Sequence, residues 1–201
     1  GYPGIPSQEA FLTTMMAADG ASIDDLELIN VDFNLVPAVI SGQTDAVMGA
    51  YWTHETILAE QEGYPVTMLR VEDWGVPDYY ELVLVASEEK VANDPEQIAA
   101  LLGAIERGYL DAIADPDAAI AAMKKAYPEL DEHVEQQGIE LLAGVWLDPD
   151  GRYGAQSAER WTDYADWMKS AGLIPADLDA AAAFDAALLP EVSPATPVRI
   201  T

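Results

Sequence analysis

Residues 26–63 read LELINVDFNLVPAVISGQTDAVMGAYWTHETILAEQEG, and their punctuation decides the fold. Leu26 to Val31 is an apolar run with Ile and Val, which suits a buried strand. Leu35 to Ser41 reads as a short helix halted by Gly42. Asp45 to Tyr51 is strand-like again, and Thr53 to Glu62 is a helix stopped by Gly63. Val66 to Val71 and Tyr80 to Ser87 supply two more strand-like runs. Strand and helix alternating in this way predict an α/β sheet with crossover helices.

Working outward, Ser7 to Asp19 reads as a helix entered through Pro3-Gly4-Ile5-Pro6 and closed by Gly20. Beyond about residue 90 the chain turns Ala-rich and helical. Asp94-Pro95 and Asp115-Pro116 each place an acid at the N-cap and Pro at the first helical position. Helices are therefore expected over Pro95 to Ala114 and Pro116 to Ala126. Pro128 then breaks the chain. Further helices cover Asp131 to Leu142, Gln156 to Ala171 before Gly172, and Asp179 to Leu188; Pro194 and Pro197 mark a loose tail. The expected organisation is an α/β part over 1–87, a helical region over 88–190 and a tail over 191–201.

The composition narrows the classes of function. The chain has 201 residues, 36 acidic and 9 basic, for a net charge of −27. Such a surface repels phosphate backbones, which excludes nucleic acid, and it disfavours anionic lipid headgroups. The acid excess suits a salt-adapted host and suits an ordinary solvated surface equally well. Cysteine is absent, which removes disulfides, thiolate metal sites and cysteine nucleophiles together. No apolar run approaches the ~20 residues that span a bilayer. The start at Gly1-Tyr2-Pro3-Gly4 carries no secretory signal pattern and reads as a processed or trimmed end, or a fragment.

Little in the chain resembles catalytic machinery. The two histidines are His54, at a helix start, and His133, in an acidic helix; neither is assigned a metal. No nucleophile elbow, P-loop or dinucleotide fingerprint occurs. Aromatic residues do gather at junctions of strand and loop, where α/β folds bind ligands: Tyr2, Phe33, Tyr51, Trp52, Trp74, Tyr79 and Tyr80. Of these, Phe33 and Trp52 are assigned to the core. Backbone N–H groups of the Gly4 loop, leading into a helix, can donate to a ligand acceptor. Tyr79 and Glu81, two apart at a strand start, share a face. A ring stacked on the tyrosine, its amino group donating to the carboxylate, fits that pair.

Several runs together resemble a known family: Gly1 to Ala10, Val31-Asp32-Phe33-Asn34, Gly42 to Val47, Trp74 through Val85, and Trp161 through Ile174. They are similar to the solute-binding proteins of ABC importers for thiamine's pyrimidine precursors, the formylaminopyrimidine- or hydroxymethylpyrimidine-binding proteins. The segment Gly75-Val76-Pro77-Asp78-Tyr79-Tyr80-Glu81-Leu82-Val83 is the most specific. The resemblance covers about residues 1 to 190. It implies a type II periplasmic-binding-protein fold, in which two α/β lobes close on a ligand. This chain would hold the second lobe and the C-terminal helices, without the opening part of the first lobe.

On this resemblance the ligand contacts fall at Tyr2, Pro3, Gly4, Ile5, Asn34, Tyr51, Tyr79 and Glu81, and Trp74 joins them from the aromatic group. The implied ligand is an aminopyrimidine and the implied partner an ABC permease. The setting would be periplasmic or extracytoplasmic, with a lipid anchor in a segment outside this chain. Up to residue 87 the only Lys or Arg is Arg70, so a neutral or weakly basic amino-heterocycle suits the site better than an anion. A flavin, a sulfonate or another aromatic cargo is the alternative. Fungal relatives that synthesise the pyrimidine use a cysteine-rich iron motif, which this chain lacks, so no enzyme activity and no cofactor are expected. The face left by the missing lobe is expected to favour self-association.

Overall fold

The computed structural model of the chain describes residues 1–190. Its α-helices are α1 (Pro6–Ala18), α2 (Leu35–Ile40), α3 (Glu55–Gln61), α4 (Glu88–Asn93), α5 (Pro95–Ala114), α6 (Pro116–Ala126), α7 (Glu132–Leu142) and α8 (Ala158–Ser170). Short 3-10 turns lie at Ile23–Asp25, Val71–Trp74 and Ala180–Ala183. The chain forms two compact units, Gly1–Tyr79 with Ala158–Ala181, and Tyr80–Ser157 with the described residues after Ala181.

In the first unit, α1 starts on Pro6, whose missing N–H would lack a helical partner in any case. The chain leaves α1 through Gly20 at φ +76°. Val31, Leu35 and Ala38 are buried together, with Ile29, Val47 and Ala50 packed against them. A second cluster joins α1 to α8 through aromatic rings. Phe11 stacks with Trp167 at 5.3 Å between centroids, and Trp167 with Tyr164 at 5.4 Å. The Trp167 indole N–H donates to the Thr14 hydroxyl at 3.1 Å. Asp78 and Arg160 form an ion pair at 2.8 Å; on this exposed surface it stabilises by at most about 1 kcal/mol.

No β-strand forms among the described residues, so the four expected over Leu26–Val31, Asp45–Tyr51, Val66–Val71 and Tyr80–Ser87 are corrected. The physical reason is the lack of pairing partners. Tyr2 makes a parallel bridge to Asn30, its N–H donating to the Ile29 carbonyl while the Val31 N–H donates to the Tyr2 carbonyl, both at 3.0 Å. On its other side, the Gly1 amine donates to the Ala46 carbonyl and the Met48 N–H to the Gly1 carbonyl, both at 2.8 Å. The segments 29–31 and 46–48 are thus held apart by a middle segment of two residues, too short to carry a ladder. Phe33 is also corrected: it is 81% exposed rather than in the core. Trp52 is half-buried, with the Arg70 guanidinium 5.0 Å above its ring.

In the second unit, α4 packs on α5, α5 on α6 and α6 on α7. Ile120, Val134 and Ile139 are its buried apolar residues. The two Asp-Pro signals behave differently. Asp115 accepts from the Ala118 N–H at 3.0 Å, as a cap should. Asp94 makes no such bond, because it also ends α4 and its carboxylate pairs with Lys90 one turn back, at 2.8 Å. The expected helix over Asp179 to Leu188 shrinks to the turn Ala180–Ala183. The expected tail with Pro194 and Pro197 lies outside the described residues.

A second aromatic group holds α5 to the turn after α7. Tyr109 stacks on Tyr153 at 4.4 Å and meets Trp146 edge-on at 4.9 Å. Burial raises the Tyr153 hydroxyl above the ordinary tyrosine value, and its hydrogen bond and charge interaction with Tyr109 raise it further. The linkage has a definite sign. Above about pH 10 the unfolded chain gives up this proton while the folded chain keeps it. The stabilisation is therefore complete below that pH and is lost as pH rises further. Urea titrations at about pH 9 and about pH 11 are expected to show a smaller alkaline loss of stability for Tyr153→Phe than for the natural chain. Equal losses would remove Tyr153 as a source of the pH dependence.

Candidate ligand site

Three parallel backbone segments each feed a helix at the same end. Residues 1–2 lead to α1, 29–31 to α2 and 46–48 toward α3. Loops leaving the C-terminal ends of neighbouring parallel segments are where α/β arrangements present polar and aromatic groups to ligands. Here they are Tyr2–Ile5, 32–34 and 49–54, all within the first unit.

Backbone geometry shapes these loops. Gly4 has φ +75°, and a Cβ there would sit 2.7 Å from the Asn30 side-chain nitrogen. The other end of the Asn30 side chain accepts from the Asp32 N–H at 2.9 Å. Asp32 has φ +49°, a left-handed conformation that Asp tolerates better than most residues. This turn carries Phe33 and Asn34 into solvent. On the third loop, Gly49 has φ +95° and the Gln8 carboxamide lies against it, where a side chain would have no room. The Tyr51 N–H donates to Glu55 at 2.7 Å, fixing the entry to α3.

The expected site residues divide among these surroundings. Tyr2, Pro3, Gly4 and Ile5 form the first loop, Asn34 is exposed on the second, and Tyr51 is exposed on the third. Trp74 is half-buried at the end of the Val71–Trp74 turn, where Gly75 turns the chain at φ +94°. Tyr79 lies in the aromatic cluster, stacked on Tyr164 at 4.5 Å and tilted against Phe11 at 5.6 Å. Its ring thereby helps to join α1 and α8. Glu81 is exposed and belongs to the second unit, so it and Tyr79 fall in different units.

Gln8, Asn30 and Phe33 are additional loop-shaping or loop-borne residues. The buried Gln8 Oε1 has no hydrogen-bond partner among the described residues. The signals for these three are local: Gln8 is the third residue of α1, Asn30 is the residue bridged to Tyr2, and Phe33 abuts Asn34 in the turn. The three loops contain Asp32 but no Lys or Arg. Arg70 is paired with Glu72. The loop ends therefore offer ring faces, backbone N–H groups and amide side chains rather than a cationic seat for an anion.

Residues 1–119 match the NMT1/THI5 like family. The chain belongs to the NMT1/THI5 like family. Within this family, the chain is 35% identical over 172 residues to the formylaminopyrimidine-binding protein of Halalkalibacterium halodurans, covering 84% of this chain and 52% of that one. It is 26% identical over 197 residues to the riboflavin-binding protein RibY of Chloroflexus aurantiacus, covering 93% and 55%. It is also 25% identical over 172 residues to the 4-amino-5-hydroxymethyl-2-methylpyrimidine phosphate synthase of Schizosaccharomyces pombe, covering 80% and 48%. The NMT1/THI5 like chain thus spans about half the length of these relatives. No helix among its described residues is long and apolar enough to cross a membrane.

Proposed function

We propose that this chain forms part of a solute-binding protein that captures a thiamine-related aminopyrimidine for an ABC importer, outside the cytoplasm. The reading includes an α/β architecture in the longer protein, to which this chain contributes the second lobe. The observation that carries it is the convergence of the Tyr2–Ile5, 32–34 and 49–54 loops at one end of three parallel segments. The 35% identity to a formylaminopyrimidine-binding protein supports the choice of cargo. Tyr51 and Phe33 offer exposed rings, Asn34 an amide, and the Gly4 loop backbone donors. A flavin is the second reading, favoured by the likeness to a riboflavin-binding protein. An enzyme reading is disfavoured because the resemblance implies a cysteine-rich iron motif for pyrimidine synthesis, and this chain has no cysteine.

Calorimetric titration with 4-amino-5-hydroxymethyl-2-methylpyrimidine, and separately with riboflavin, tests the reading. The pyrimidine is expected to bind at micromolar or tighter affinity with little salt dependence. Heat with riboflavin alone would transfer the function to the second reading, and heat with neither would overturn both. Tyr51→Ala removes one stacking surface, typically about 0.5–1.5 kcal/mol, so affinity is expected to fall roughly two- to tenfold. Unchanged affinity would remove Tyr51 from the site.

A further inference from the structure

The third ligand loop is pinned at two points. The Met48 N–H donates to the Gly1 carbonyl at 2.8 Å, and the Tyr51 N–H to Glu55 at 2.7 Å. Between them Gly49 and Ala50 make no backbone hydrogen bond to other described residues, so packing sets their path. Ala50 packs against the buried group of Val31, Leu35 and Ala38. Gly49, at φ +95°, is met by Gln8: a Cβ there would lie 3.0 Å from the Gln8 Cδ and 3.1 Å from its Oε1.

Gln8 brings the frame of α1 to this contact. It stands in the first turn, its N–H donating to the Ile5 carbonyl at 3.0 Å. One turn further on, Phe11 is buried and stacked on Trp167. The Gln8 Oε1 is buried without a hydrogen-bond partner among the described residues. The carboxamide is therefore shut in against the loop and holds it by bulk, because an unpaired buried acceptor adds no attraction of its own. Tyr51 follows Gly49 by two residues, and a ring stacks on a ligand only when its plane and centre are correctly placed. We propose that Gln8 is a positioning residue of the ligand site, filling the space beside Gly49 and so fixing the turn that presents the Tyr51 ring. The proposal rests on the reading of the three loops as a site for an aromatic ligand.

The test is calorimetric titration with 4-amino-5-hydroxymethyl-2-methylpyrimidine and with riboflavin, using for the variants whichever compound the natural chain binds more tightly. Far-UV circular dichroism confirms that each variant stays folded. Because Gln8 acts through Tyr51, Gln8→Ala is expected to weaken binding roughly two- to tenfold, and by no more than Tyr51→Ala does. Added to Tyr51→Ala it should cost less than about a further twofold. Gln8→Met restores the bulk without the amide and should keep most of the affinity. Gly49→Ala should weaken binding, and Gln8→Ala/Gly49→Ala should bind more tightly than Gly49→Ala alone, since the new methyl group enters the vacated space. A Gln8→Ala chain that binds as well as the natural one overturns the proposal. So does an equal loss with and without the Tyr51 ring, which would make Gln8 a structural residue only. A Gln8→Met chain as weak as Gln8→Ala also overturns it and would give the amide a direct contact with the ligand. These three failures leave the site reading standing; no heat from the natural chain with either compound removes that reading and this proposal together.

Discussion

Replacing Phe11 by Ala is expected to destabilise the protein by about 3–5 kcal/mol. Phe11 is buried and lies between two other rings, Trp167 at 5.3 Å and Tyr79 at 5.6 Å. Removing it opens a cavity where α1, α8 and the segment before Tyr80 are held together. Aromatic contacts add about 0.5–1.5 kcal/mol beyond the apolar area they bury, so the loss includes geometry as well as volume. Since whole domains are stable by only about 5–15 kcal/mol, the variant should lose much of its urea midpoint, followed by tryptophan fluorescence. Trp167→Phe keeps a ring but removes the hydrogen bond to Thr14, and a cost nearer 1 kcal/mol is expected. If Phe11→Ala costs less than this milder change, the cluster is not what joins the two helices.

Gly4→Ala is expected to cost about 2–3 kcal/mol and to weaken aminopyrimidine binding more than tenfold. A left-handed conformation costs a residue with a Cβ about 1–2 kcal/mol. The new Cβ also meets the Asn30 amide at 2.7 Å, so Asn30 must move and its hydrogen bond to the Asp32 N–H is put at risk, a further ~1 kcal/mol. Because that bond shapes the turn bearing Phe33 and Asn34, one methyl group disturbs two of the three loops. Gly42→Ala is the matched control, with φ +72° and nothing within 4 Å of the added carbon. It should show the backbone cost alone and leave binding unchanged. Equal effects of the two substitutions on stability and affinity would remove crowding at Asn30 from the explanation.

The helices were the legible part of this chain because their signals are local. Asp-Pro pairs mark α5 and α6, and the helices span the residues expected, Pro95–Ala114 and Pro116–Ala126. Glycines with positive φ at 20, 42, 63 and 172 mark the ends of α1, α2, α3 and α8. Strands were not legible in the same way. An apolar run such as Val66–Val71 becomes a strand only when another backbone lies beside it, and no local pattern reports that neighbour. Alanine propensity favoured a helix at 180–183, but only Ala180 among these residues is buried, so packing supplies little to extend the turn. For the site, the loops could be located from glycine and aromatic residues, whereas the exposure of Phe33 depended on the backbone turn at Asp32. Tyr79 also packs on Phe11 and Tyr164, which lie 68 residues before and 85 residues after it in the numbering, a proximity no local pattern reports.

The separate aromatic groups also equip the molecule with two optical reporters. Trp146 is the one tryptophan between Tyr80 and Ser157, and it meets Tyr109 edge-on. A variant with its other four tryptophans changed to phenylalanine would emit from Trp146 when excited at the red edge of tryptophan absorption. Ring coupling among Phe11, Tyr79 and Tyr164 would meanwhile contribute to the near-ultraviolet dichroism of the same variant. Melting curves from the two signals can therefore be superimposed. Coincident curves would mean that the loss caused by Phe11→Ala is felt by the whole chain; separated curves would confine it to one cooperative unit.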